Sequence, residues 1–159
     1  MATLCFTLKN LFPFKGYKRV VLEVENCFFL GLEPARHWGR CPECHRSCKH
    51  LVSTYVRKVR DLDVSEKKCY LEVPLRRIRC RCGYRGNEEL DFVEKSHRLT
   101  TRLEARIVAL ATIMSLRDVA RSLRLDWKTV KSIDYAYLKE NLPDPKTLET
   151  RRIAMDEIA

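Results

Sequence analysis

"CPECHRSCKH", residues 41–50, places three cysteines and two histidines in ten positions. Cys41 and Cys44 form a C-x2-C knuckle, and two thiolates at that spacing supply half of a tetrahedral Zn²⁺ site. The other half is either local, from Cys48 with His50 nearby, or distant, from Cys80 and Cys82 in "IRCRCGY", residues 78–84. The local choice closes a site inside ten residues with very short spacings. The distant choice is favoured. Residues i and i+2 of an extended chain share a face, so Cys80 and Cys82 point together. Gly83 then permits the turn that wraps backbone round a metal. Two knuckles separated by β-strands describe a zinc ribbon, a small fold whose metal substitutes for a hydrophobic core. The expected ligands of a structural Zn²⁺ are therefore Cys41, Cys44, Cys80 and Cys82, with His45, Cys48 and His50 each an alternative for one of them.

A redox C-x2-C is disfavoured, because no βαβ pattern surrounds it. Cys5, Cys27 and Cys69 lie in apolar stretches and read as core thiols. His37 and His97 carry no specific signal.

Between and before the knuckles the chain reads as β. Residues 19–32, "RVVLEVENCFFLGL", suggest a hairpin around Glu25-Asn26. Residues 54–80 give two further runs, "TYVRKVRDL" and "KKCYLEVPLRRIRC". In the second, Cys69, Leu71 and Val73 share one face, with Tyr70 and Glu72 on the other. Pro74 has no N–H for a ladder and marks an edge or a break.

After residue 98 the period changes from 2 to 3.6. Leu103, Ile107, Leu110 and Met114 form one helical stripe, with Thr101 and Glu104 as a capping box. Ser115 and Asp118 repeat the cap before Leu116, Val119, Ala120 and Leu123. Asp126 caps a third helix whose inner face is Val130, Ile133 and Tyr137. "NLPDPKT", residues 141–147, ends it as a linker.

Residues 116–135, "LRDVARSLRLDWKTVKSIDY", fit a helix-turn-helix by position. Ala120 is the small residue where two helices cross. Leu123 and Leu125 flank the turn. Val130 and Ile133 form the inner face of the second helix. Arg124 occupies the turn position where glycine is common, at a cost of about 1 kcal/mol if the backbone there is left-handed. Arg121, Arg124, Trp127, Lys128, Thr129, Lys131, Ser132 and Tyr135 remain for base edges and phosphates of a major groove. Trp127 is ambiguous between core and DNA.

The charge is +10, and it is unevenly placed. Residues 36–85 hold 14 Lys/Arg against 5 Asp/Glu, and residues 97–132 hold 8 against 3. The interval 86–96, net −3, reads as an acidic joint between them. Two basic modules suggest a polyanionic partner, double-stranded DNA. No apolar run approaches the roughly 20 residues of a membrane span. "MATLCFTLKNLF" lacks a basic region and a cleavage site, so no secretion signal is expected. Eight cysteines without such a signal point to a reducing, cytoplasmic setting, associated with the nucleoid.

The order of C-x2-C knuckle, "VRKVRDLDV" (56–64), "LRRIRCRCGYRG" (75–86), helix-turn-helix and "RRIAMDEIA" (151–159) resembles the N-terminal half of transposases of the ISL-three insertion-sequence family. The resemblance runs from about residue 19 to the end. "RDL" and "RR-I-R-C" are its most specific echoes. That family usually has more than the single Arg81 between the cysteines of its second knuckle.

The resemblance implies an α+β chain. A β-rich domain with the zinc ribbon covers residues 1–90, and a three-helix helix-turn-helix domain covers 97–142. Residues 143–159 hold a linker and the strand remnant that opens an RNase H-like DDE catalytic domain. Asp156 matches the first catalytic carboxylate, and Mg²⁺ belongs only to a full-length catalytic form. Three carboxylates are needed to hold two metals, so the expectation for this chain is DNA recognition at terminal inverted repeats without catalysis. A truncated regulator of transposition, paired with itself or with a full-length transposase, is one alternative. A zinc-ribbon module binding RNA or protein is another.

Overall fold

The computed structural model describes residues 12–24, 26–94 and 98–143. The described residues fall into two compact units, one reaching Ala105 and one beginning at Arg106. Asp156, Cys5, His97 and the segment 151–159 lie outside the described residues.

The first unit is a five-stranded sheet with a two-stranded appendage. β1 (Tyr17–Val24) and β2 (Cys27–Pro34) form the expected antiparallel hairpin. β5 (Leu51–Val64) and β6 (Lys67–Arg79) form a longer one, closed by Ser65 and Glu66. Both turn residues have positive φ, 47° and 65°, the hand that matches strand twist in a two-residue hairpin loop. β2 pairs with β6 in parallel, so the sheet runs β1-β2-β6-β5. β7 (Arg85–Asn87) adds to the far end of β6.

The alternation in β6 follows the sequence pattern. Cys69, Leu71, Val73 and Leu75 are buried. Three of them join Leu30, Leu32, Val59, Phe12, Phe14, Phe92 and Val93 in the main core. Phe14 and Phe92 have ring centroids 4.5 Å apart, and Tyr17 meets Phe92 edge-on. Burial pushes the Cys69 thiol up to about 12, with Asp61 adding to the shift, as suits a core thiol. Cys27 is only half-buried. Pro74 lies in mid-strand, opposite Val56 of β5. On its other side β2 pairs only as far as Glu72 and β7 begins at Arg77, so the proline sits at a local edge.

Two buried ion pairs tie later segments to this sheet. Asp61 is fully buried and accepts from Thr100 Oγ1 at 2.7 Å and Arg102 Nε at 2.6 Å, with Arg102 Nη2 on its other oxygen. Arg60 donates through Nη1 to the carbonyls of Asp61 and Cys69 and pairs with Asp63. Arg76 grips Glu88 with Nε and Nη2, each at 2.7 Å, and reaches the Arg36 carbonyl with Nη1. The acidic interval, expected as a joint, instead lies inside this unit and supplies its counter-charge. Glu89 meets Arg40 and His45, and Asp91 meets Arg40.

The break between units falls within α1 (Thr101–Ala111). Its cap is one residue earlier than expected. Thr100, not Thr101, accepts from Leu103 N, at 3.4 Å, because Asp61 fixes the Thr100 hydroxyl. Leu103, Ile107 and Leu110 are buried, whereas Met114 lies past the helix end and is partly exposed.

α2 (Leu116–Leu123) and α3 (Trp127–Asn141) follow with their expected caps. Ser115 accepts from Asp118 N, and Asp126 accepts from Lys128 N at 2.8 Å. Val119, Ala120, Val130 and Ile133 are buried between them, and Tyr137 is not. α2 has 8 residues against 15 in α3, about 12 Å against 22 Å. The last turns of α3 therefore run beyond their partner.

Arg124 sits at φ 54°, ψ 44°, left-handed, with its N–H turned back to the Ala120 and Arg121 carbonyls. A β-branched side chain tolerates that conformation worse than arginine does. Arg124→Val is expected to cost about 1 kcal/mol more than Arg124→Gly, read as the difference in urea midpoints at constant slope.

Candidate metal centre and nucleic-acid interface

The β5–β6 hairpin brings the two knuckles together. At its open end Leu51 pairs with Ile78, and Arg79 N donates to His50 O at 3.1 Å. Residues 41–48 and 80–84 leave from adjacent points and meet. β3 (Gly39–Arg40) and β4 (Ser47–Cys48) frame the first knuckle, closed by His45 N to Cys41 O at 2.9 Å. The second is a turn rather than the extended pair expected. Cys80 N donates to Tyr84 O, Gly83 N donates to Cys80 O, and Gly83 takes φ 98°. The two cysteines converge because the backbone curls, not because it is straight.

The Sγ atoms of Cys41, Cys44, Cys80 and Cys82 all lie within 4.8 Å of one another. Cys41–Cys82 and Cys44–Cys80 are each 3.6 Å apart. Four sulfurs at about 2.3 Å from a tetrahedral Zn²⁺ are about 3.8 Å from each other, so this set fits the ion. The alternatives face elsewhere. Cys48 Sγ donates to Arg79 O at 2.9 Å, His45 Nδ1 contacts Glu89, and His50 is exposed.

The thiols also share charge. A backbone N–H from Cys82 holds Cys80 down at about 7. At Cys82 the Tyr84 N–H works against the rise, but the Cys80 sulfur and burial prevail, pushing it up to about 12. A metal that binds here must displace thiol protons, so its binding is pH-dependent.

In the second unit, the residues named from sequence for nucleic-acid contact are exposed with one exception. Trp127 is 47% exposed and Tyr135 66%, and Arg121, Arg124, Lys128, Lys131 and Ser132 are exposed too. Thr129 is half-buried. The ambiguity over Trp127 resolves towards solvent, with Lys131 Nζ 5.9 Å from its ring. Arg121 Nη1 also donates to Asp118 at 2.8 Å, a surface pair that water and salt weaken. In the first unit, Arg60 and Arg76 are buried in ion pairs and are not offered to a phosphate. Among the described residues, the four-cysteine cluster alone gathers three or more metal-binding side chains. No helix among them is long and apolar enough to cross a membrane.

A ribbon with four converging thiols and a capped helix-turn-helix define a metal-ribbon and helix-turn-helix protein. Comparisons narrow the class. Residues 38–82 match the family described as the zinc-finger of transposase IS204/IS1001/IS1096/IS1165, and residues 88–138 match the helix-turn-helix domain of transposase family ISL3. The chain is 35% identical over 129 residues, 80% of its length, to the transposase for insertion sequence element IS1001 of Bordetella parapertussis. It spans 32% of that relative's length. No solved structure matches it significantly. The chain belongs with the ISL3-family transposases and corresponds to the N-terminal portion that carries their zinc ribbon and helix-turn-helix.

Proposed function

We infer that this chain binds duplex DNA at the terminal inverted repeats of a mobile element, with α3 in the major groove and Zn²⁺ held by Cys41, Cys44, Cys80 and Cys82. One observation carries the reading. The helix-turn-helix buries Val119, Ala120, Val130 and Ile133 and leaves Trp127, Lys128, Lys131, Ser132 and Tyr135 exposed on α3. A helix presenting cations, hydroxyls and aromatics together suits phosphates and base edges at once. The metal plays a structural part, fixing the ribbon. In the full-length enzymes that the chain resembles, Asp156 would be one of three carboxylates serving Mg²⁺.

The direct test is competition binding at moderate salt between duplexes carrying the element's ends and random duplexes of equal length. Equal affinity for both sinks the assignment. Lys128→Gln with Lys131→Gln is expected to weaken binding to all duplexes and to flatten the log–log salt slope by about 1.8. A titration series from low to moderate salt reads it.

A further inference from the structure

A groove of about 1160 Å³ runs beside the metal cluster, lined by Cys44, Arg46, Lys49, His50, Arg79 and Arg81 among others. No acidic residue lines it, whereas two other depressions among the described residues are both lined by Glu88 and Glu89. Arg46, Lys49, Arg79 and Arg81 are exposed, and Cys48 locks the groove's floor by donating its thiol to Arg79 O. The chain underlies this with two acid-free stretches, 44–60 and 73–87. The β5–β6 hairpin lays their ends side by side.

We propose that this groove is a second DNA-contact surface, in which Arg46, Lys49 and Arg81 grip the phosphate backbone of the duplex independently of α3. The proposal rests on the reading of the chain as a duplex-DNA binder and adds a partner surface to it. Two simpler uses of the charge fall short. Four thiolates around Zn²⁺ carry a net charge of −2, which two cations offset, yet four permanent cations line the groove. Small-molecule pockets run to roughly 300–1,000 Å³ and are mostly apolar. This groove is somewhat larger, and although its walls are partly apolar, four cations and no carboxylate line it, the character of a track for an extended polyanion.

The test uses the full chain with zinc bound. Arg46→Gln, Lys49→Gln and Arg81→Gln together should flatten the salt slope on duplex DNA by about 2.7, close to 0.9 for each lost phosphate contact. Zinc should stay at one per chain. Arg46→Lys with Arg81→Lys should keep the wild-type slope, since a lysine still neutralises a phosphate. If the triple variant loses zinc, the three single variants are measured instead, each expected to remove about 0.9. A wild-type slope and affinity in the zinc-loaded triple variant, with wild-type protein binding duplex normally, overturns the proposal and leaves α3 standing. Wild-type protein that binds no duplex removes the DNA reading itself. Loss of binding to single-stranded RNA with duplex binding intact also overturns the proposal, and makes the groove an RNA surface.

Discussion

Cys80→Ser with Cys82→Ser is expected to take bound zinc from one ion per chain to none, and to unfold the ribbon while the sheet survives. The reason is the size of what remains. Among the described residues, the ribbon's cluster has three buried members, Cys41, Cys48 and Ile78, with Leu51 and Tyr84 packed beside them. β3 and β4 have two residues each. So small a core does not hold two knuckles together, and structural zinc contributes apparent binding energies of about 10–16 kcal/mol in isolated fingers. Serine keeps the shape and removes the thiolate. The sheet has its own core of Phe14, Leu30, Val59, Leu71, Val73 and Phe92. Amide exchange should therefore lose protection at Cys41 and Cys80, whose N–H groups donate to Arg46 O and Tyr84 O, and keep it along β5 and β6. Zinc by elemental analysis gives the stoichiometry. Cys48→Ser with His50→Ala should leave zinc in place, since the Cys48 thiol donates to Arg79 O and His50 is not among the four side chains gathered in the cluster. The reverse pattern of loss would move the site back inside residues 41–50.

The metal knuckles, the caps and the turn were legible because each is written in residue type at short range. Cys41 and Cys44, Ser115 and Asp118, and Asp126 act within a few positions of themselves. The left-handed cost at Arg124 was readable for the same reason. The packing of charges was not. A count of Lys and Arg gives Arg60 and Arg76 the same weight as Arg46, though two are buried in ion pairs and one lines an open groove. Arg76 finds its partner, Glu88, twelve residues on, and Arg60 pairs with Asp63 close by in sequence, but in both cases only the folded sheet buries the guanidinium. The parallel pairing of β2 with β6 was equally out of reach, since periodicity gives a strand its face but not its neighbour. Tyr137 was assigned inward on the period of Val130 and Ile133, but it is 45% exposed, one to two turns further along the longer helix than the residues that α2 helps to bury. The groove did leave a sequence trace, in the absence of acids from 44–60 and 73–87. Summing charge over the wider 36–85 block averaged it away.

The "RDL" and "RR-I-R-C" echoes gain a physical meaning from these contacts, and the second large effect follows from it. Asp61→Asn is expected to destabilise the first unit by about 3–5 kcal/mol, the usual cost of breaking a buried pair from one side. Asp61 has no exposed surface, and both its oxygens are taken by Arg102, with Thr100 Oγ1 on one. Asparagine can still accept from Thr100, but its amide turns donors towards the Arg102 fork, leaving a partly buried guanidinium facing an amide N–H where it had a carboxylate. Residues 98–102 should loosen first. Arg60 N donates to Arg98 O and Thr100 N to Arg60 O, so this segment extends the edge of β5 and sets the start of α1 through Thr100. Urea unfolding measures the loss, at unchanged slope. Arg102→Met added to Asp61→Asn should recover part of it, because the stranded charge is gone and the methionine packs where Arg102 lies over Phe12 and Phe14. A double variant as unstable as the single one would mean that the carboxylate matters through Thr100 rather than through the ion pair. In that case Thr100→Val alone should reproduce the loss.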